Sequence, residues 1–241
     1  MFIYEDTASA RAGLGMLAER LEGQVVAIIG CGGTGSYILD LVAKMPVAEI
    51  RLIDGDDYLQ HNAFRAPGAA SRSTLENTPK KVDYFAQIYG QIHASIVPHA
   101  VYLGPDTLGL LEGVTSAFIA VDNGAVKRLI VDTLEAQDAI FLDVGMGLEL
   151  TDGHLGGILR TTISLPERRE AFHDGRICYT APRKDDIYDM NIQTVDLNAM
   201  NACLAVIRWK KALGFYSDLE RELCSSYTTD GNQLENGDEE C

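Results

Sequence analysis

The chain has 241 residues, is 46% apolar and carries a formal net charge of −15. That apolar content supports a sizeable core, no run approaches the ~18 apolar residues a membrane span needs, and so acidic a surface repels a phosphate backbone, so neither membrane nor nucleic acid is expected as a main partner. The five cysteines (Cys31, Cys178, Cys203, Cys224, Cys241) are scattered, with no Cys-x-x-Cys pair, which gives no disulfide framework and no zinc spacing; the start Met1-Phe2-Ile3-Tyr4-Glu5-Asp6 has neither a basic region nor an apolar signal core, so a cytoplasmic location is expected.

In chain order, Gln24–Ile29 is a short apolar run typical of a buried strand. It meets the glycine-rich stretch Gly30-Cys31-Gly32-Gly33-Thr34-Gly35, after which Tyr37–Lys44 has helical spacing up to Pro46. Glu49–Asp54 reads as a second strand, and the polar connection 55–78 is too long for a simple link, which points to function. Pro79 opens a helix expected to run to about Ile92. Strands follow at Ser95–Tyr102, Ala117–Val121 and Ala139–Val144, with a helix over Ala125–Ala136. Residues 157–165 suit a later, antiparallel strand, and 166–194 read as a long crossing loop. Val195–Leu213 is a helix with Leu197, Met200, Leu204, Ile207 and Lys211 on one stripe, ended by Gly214. The last twelve residues hold five acids and no base. Strands alternating with helices predict an α/β fold: a Rossmann-like, doubly wound, mostly parallel sheet with a C-terminal antiparallel extension, crossing loop and long helix.

Glycines between a strand and a helix let the backbone approach a phosphate, where free helix N–H groups and a partial positive charge receive it. Asp54, ending the next strand, is placed to hold a ribose hydroxyl pair. These two signals indicate an adenine nucleotide but do not separate a dehydrogenase from an ATP-using enzyme. The following residues do. Asn62, Arg65, Lys80 behind Pro79, and the pair Asp122-Asn123 combine amide, cationic and carboxylate groups past strand ends. Such a set suits cleavage of ATP, which needs phosphate charge neutralised and Mg²⁺ held. Lys81 competes with Lys80, the register after Pro79 favouring Lys80.

The order Gly30 to Gly35, Asp54/Asp56, Asn62/Arg65, Lys80 and Asp122-Asn123 resembles the superfamily of ubiquitin-activating enzymes with ThiF and MoeB, over roughly residues 10–215. The resemblance implies that Gly30, Gly32, Gly33, Gly35, Asp54, Asp56, Asn62, Arg65, Lys80 and Asn123 bind ATP. It also implies that Arg65, Lys80 and Asp122 act in catalysis and that Asp122 holds Mg²⁺. The implied reaction joins AMP to the C-terminal glycine carboxylate of a small ubiquitin-like or sulfur-carrier protein and releases pyrophosphate, in a homodimer without zinc. Cys178 stands roughly where ThiF-like proteins place a reactive cysteine, and a thiolate there could form a thioester from the acyl-adenylate. Cys203, on an apolar helix, reads as core; Arg11 is the candidate for an arginine lent to a partner's ATP; Lys127 and Arg128 read as supports.

The chain is expected to divide into an N-terminal helical segment (1–23), an ATP-binding Rossmann-like half (24–150), a C-terminal half (151–229) with a mobile loop at about 166–194 and a helix over 195–213, and an acidic disordered, solvated tail (230–241). Residues 191–216 are more similar to short bacterial ThiF-type proteins encoded beside ubiquitin-like proteins, including PRTRC systems. Two departures stand out: Ala66 replaces the glutamine that commonly follows the arginine, and paired zinc cysteines are missing. Relatives that adenylate a modified tRNA base are disfavoured by the charge of −15. A non-catalytic nucleotide-binding scaffold subunit is disfavoured by the presence of Arg65, Lys80 and Asp122.

Overall fold

Strands that are apolar along their whole length, without polar alternation, need cover on both faces, and parallel sheets clad with helices supply it. A computed structural model, which describes residues 2–169 and 192–237, has that arrangement. Eight strands form one sheet in the order β3-β2-β1-β4-β5-β6-β7-β8. They are β1 (Val25–Ile29), β2 (Glu49–Ile53), β3 (Ile96–His99), β4 (Ser116–Ile119), β5 (Ile140–Thr151), β6 (His154–Ser164), β7 (Cys224–Thr228) and β8 (Gln233–Asn236). The first five are mutually parallel, and β6, β7 and β8 continue the sheet antiparallel. The fold is the expected Rossmann-like α/β sheet with an antiparallel extension.

The helices are α1 (Thr7–Ala12), α2 (Gly15–Glu22), α3 (Gly33–Val42), α4 (Gln60–Ala63), α5 (Arg72–Glu76), α6 (Lys81–Tyr89), α7 (Gly124–Ala136) and α8 (Val195–Ala212). Two apolar layers result. Val26, Ile28, Ile50, Leu52, Phe118 and Leu142 face α3, α6 and α8, while Ala27, Ile29, Ala117, Ile119 and Phe141 face α7. No helix among the described residues is long and apolar enough to cross a membrane.

Three elements differ from the sequence reading. β5 and β6 run far past the core as a hairpin, closed by Asp152 (φ 51°) and Gly153 (φ 78°), a two-residue turn whose paired positive φ values match the twist of the strands. Gln233–Asn236, within the stretch expected as a solvated tail, pairs with β7 as the exposed outer strand. The helix expected from Pro79 begins at Lys81 instead. Pro79 O accepts from Tyr58 N (2.7 Å) and Lys81 N donates to Asp56 O (3.0 Å), so residues 79–80 stay extended against 56–58.

α8 turns a different face inward from the one expected. Its buried residues are Asn198, Asn201, Ala202, Ala205, Val206, Arg208, Trp209 and Lys210. Cys203, expected in the core, is exposed, as is Ile207. Small residues let α8 approach α3 closely: a Cβ on Gly33 would lie 2.2 Å from Asn198 Nδ2. Trp209, fully buried, donates from Nε1 to Ser116 Oγ (2.9 Å) and meets Phe118 edge to face, fixing α8 across the sheet. Gly214 takes the left-handed conformation (φ 74°) just beyond α8, as its position predicts.

Candidate active site

The carboxyl ends of β1, β2 and β4 open into a cavity of about 460 Å³. The chain must turn sharply from β1 into α3 there. Gly30 has φ 91°, and a Cβ on it would sit 2.4 Å from Ala120 O, so only glycine fits. Gly32 caps α3 without a side-chain partner and a Cβ there would meet no atom within 4 Å, which leaves the backbone open to the cavity. The first-turn N–H groups of a helix lack intrahelical acceptors, and together with the helix dipole they form an anion-binding end.

Asp54 holds this loop in place. Its Oδ2 accepts from Cys31 N (2.7 Å) and its Oδ1 from Asp56 N (2.8 Å). Cys31 is buried, and burial pushes its thiol pKa up, the carboxylate of Asp54 adding to the effect; it is a packed residue beneath the loop.

The basic register falls one residue later than the sequence favoured. Lys81, 7% exposed, lines the cavity and places Nζ 2.6 Å from Asp56 Oδ2 and 3.7 Å from Asp54 Oδ2. Lys80 does not line it: its Nζ lies 2.8 Å from Asp57 and donates to Gly55 O (2.9 Å). The extended pairing of Lys80 with Asp57 delays the helix, so the first inward-facing helical position is 81. The bond from Lys81, reinforced by the hydroxyl of Tyr102, holds the Asp56 carboxyl below its usual range.

The 55–78 connection is anchored by Tyr58, 1% exposed and stacked on Tyr84 with centroids 4.1 Å apart. It delivers Arg65 to the cavity with a buried Nε that has no hydrogen-bond partner. Asn62 is buried but does not line the cavity, and its Oδ1 accepts from Leu59 N (2.9 Å), shaping the turn that carries Arg65. Asp122, at the end of β4, lines the cavity with its carboxylate in an exposed residue. Asn123 also lines it, but its Oδ1 caps α7 by accepting from Ala125 N and Val126 N. Beneath them Lys127 pairs with Asp143 at 2.7 Å; burial pushes the Asp143 carboxyl up, and the lysine only partly offsets it. Arg128 lies 3.6 Å from Asp132 on the outer face of α7.

Residues the sequence did not single out complete the walls. The ring of Tyr102 lies so close to Gly55 that a Cβ there would come within 2.7 Å of it, and Val101 and Leu103 flank it. Met146, Gln193 and Asn201 close the side toward β5 and α8. Asn201 Nδ2 donates to Gly145 O (3.0 Å). Polar residues on a helix that reads as apolar, spaced three apart as Asn198 and Asn201 are, were the available signal. Arg11 is exposed in the last turn of α1 and does not line the cavity. Cys178 lies outside the described residues.

One cavity thus gathers an open helix start, an arginine and a lysine, and three carboxylates. Such a wall can take a polyphosphate on its cations and N–H groups, and a ribose or a hydrated cation on its carboxylates. Among the described residues no three His, Cys, Asp or Glu side chains cluster as a metal cage. Magnesium needs none, since it commonly binds through one or two carboxylates, waters and substrate phosphates; Asp122 fits that role.

The sequence model of the ThiF family matches residues 8–219. Among solved structures, PaaA aligns with a TM-score of 0.72 and 16% identity, over 97% of this chain and 74% of that one. MccB of E. coli, solved with MccA-N7isoASN, aligns at 0.68 and 15% identity over 96% and 71%. The same protein solved with ATP aligns at 0.69 and 17% over 92% and 65%. The TM-scores show a shared fold, and at identities this low they show the fold alone. No curated protein matches in sequence.

Proposed function

The chain belongs to the ThiF family, and from that premise we propose that it adenylates the C-terminal glycine carboxylate of a small ubiquitin-like or sulfur-carrier protein, using ATP. Adenylation chemistry is what the family and the likeness to MccB support at the level of reaction type. The glycine-tailed carrier is the finer part of the proposal. The observation that carries the nucleotide part of the proposal is that Arg65, with a buried unpartnered Nε, and Lys81 line one cavity with the open end of α3. A half-buried arginine and a buried lysine lining one cavity with a helix start suit an anion, and Asp54 on the same wall suits a ribose.

In this reading Gly30 to Gly35 cradle the phosphates, and Asp54 with Asp56 orients the ribose. Arg65 and Lys81 draw charge from the β and γ phosphates, Lys81 taking the role first assigned to Lys80, while Asn62 keeps the Arg65 turn in shape. An oxygen of the substrate carboxylate attacks the α-phosphorus, the bond from that phosphorus to the bridging oxygen breaks, and pyrophosphate leaves. The product is a mixed acyl-phosphate anhydride. Asp122 would hold Mg²⁺, which when bound neutralises the charge that builds on the departing pyrophosphate. Cys178 is the candidate for a following thioester step, and a homodimer would carry Arg11 on α1 toward a second copy.

ATP–pyrophosphate exchange tests this directly. Labelled pyrophosphate is expected to enter ATP only when a glycine-tailed carrier is added, and a carrier lacking its last glycine is expected to be inert. Exchange that needs tRNA instead, or that never rises above background with any glycine-tailed protein, would overturn the proposed substrate.

A further inference from the structure

Four cations are buried among the described residues: Lys81, Lys127, Arg208 and Lys210. Three have carboxylate partners. Lys81 has Asp54 and Asp56, Lys127 has Asp143, and Arg208 has Glu222. Lys210 is the exception. It is 5% exposed in the last turn of α8, and no carboxylate of the described residues pairs with it. Its neighbour Lys211, half-buried, takes both Asp218 and Glu222. Around the Lys210 ammonium stand the ring of Phe215 (3.6 Å to its centroid), the ring of Tyr216 (4.8 Å), the Tyr216 hydroxyl (3.5 Å) and Met45 Sδ (3.8 Å). Ring faces and the negative end of a helix attract a cation, yet neither neutralises it, and an ammonium taken out of water without a counter-ion is costly.

Lys210 lines a second cavity, of about 310 Å³, between α2 and the C-terminal ends of α3 and α8. The rest of its wall is largely apolar, with Leu17, Leu21, Met45 and Phe215 among the residues that line it. Two other charges border it and both are engaged. Asp6 caps α1 by accepting from Ala8 N and Ser9 N (3.0 Å each), and Lys44 is tied to Asp40 at 2.7 Å. Along α8 this cavity is nine residues from Asn201, or about 13 Å at the rise of an α-helix, so it is separate from the nucleotide cavity. We propose that it is a binding site for a small carboxylate with an apolar body, the carboxylate supplying the missing counter-ion of Lys210 and the body resting on Leu17, Leu21 and Met45. The site stands whether or not the chain adenylates anything.

Calorimetric titration with 3-phenylpropionate and its neutral isostere 3-phenylpropanamide tests the assignment on the whole chain. The carboxylate is expected to bind about ten-fold more tightly than the amide, the scale of one hydrogen bond to a charged group, and to raise the melting temperature. Lys210→Met keeps the aliphatic stem. It is expected to melt no lower than the native chain, to bind ATP unchanged, and to bind the two probes equally. Leu17→Trp, which fills the cavity and leaves Lys210 in place, is expected to bind neither. Equal binding of both probes by the native chain, no binding of the carboxylate at millimolar concentration, or a preference for the carboxylate that survives Lys210→Met would each overturn the site.

Discussion

The parallel and antiparallel halves of the sheet reach the strand-end cavity by different means. In the parallel half, β1 and β4 are buried almost end to end and the chemistry is delivered at strand ends: Gly30 after β1, Asp54 after β2, Asp122 after β4. The groups there are backbone amides and charges, which a sequence displays in order. In the antiparallel half, β5 and β6 send an exposed tip past the core and β8 is exposed along its length, and apart from Val144 and Met146 on β5 the contribution to the cavity comes from the segment leading into α8 and from α8 itself, as Gln193 and Asn201. One half brings the charged groups to the cavity, and the other supplies the uncharged wall opposite them.

If that division is right, losses of chemistry should map to the first half and losses of stability to the second. The largest effect is expected at Asp122→Ala: pyrophosphate exchange should fall by roughly 100-fold or more, the usual cost of removing an electrostatic stabiliser of a transition state, with the melting temperature unchanged. Native exchange in that variant would move the metal site elsewhere. Next, Lys81→Met should cost on the order of 100-fold in exchange while Lys80→Met stays within about three-fold; the reverse ranking would restore the register read from the sequence.

Across the seam between the halves, Gly33→Ala should destabilise by about 1–3 kcal/mol, since the new Cβ is driven into Asn198. Thermal melts of Gly33→Ala alone and combined with Asn198→Ala should show the second change recovering part of the loss. Simple additivity would mean that α8 does not press on α3. The smallest effect belongs to the second half. Burial tends to raise the Glu222 carboxyl, but the bond from Lys211 and the nearness of Arg208 outweigh it and hold it below the ordinary value of about 4.5. A depressed folded-state pKa gives stability that is present above 4.5 and is lost as pH falls through the folded value. Denaturant melts from pH 6 down to pH 3 should therefore fall less steeply for Glu222→Gln than for the native chain; parallel curves would remove the Lys211–Glu222 tie from the account.

How far the sequence could be read follows the same boundary. That the glycine loop, Asp54 and Asp122 line one cavity was legible because each depends on neighbours in the chain, a strand run, a glycine or a helix start; Arg65, read through the resemblance, lines it too. The place of Lys81, rather than Lys80, on the cavity wall was hidden because Pro79 looks like the opening of a helix, and only the pairing of residues 79–80 with 56–58 keeps it from being one. α8 was misread because its apolar stripe is not its contact face. Gly33 lacks a side chain, so Asn198 comes close to α3, while the stripe of Leu197 and Met200 stays outside the buried face of α8. β8 escaped notice because Gln233–Asn236 is exposed along its whole length and carries no burial signature.

The grip of Asp54 and Asp56 on Lys81 has a thermodynamic consequence. A lysine reaching for phosphate from solvent must shed its hydration and freeze its four side-chain torsions at the moment of binding. Lys81 has already done both when the chain folds. In the proposed function, nucleotide arrival would exchange one anionic partner of Lys81 for another and leave the carboxylate of Asp56, held by Tyr102, to accept from the incoming molecule. Folding thus bears much of the entropy that association would otherwise have to supply.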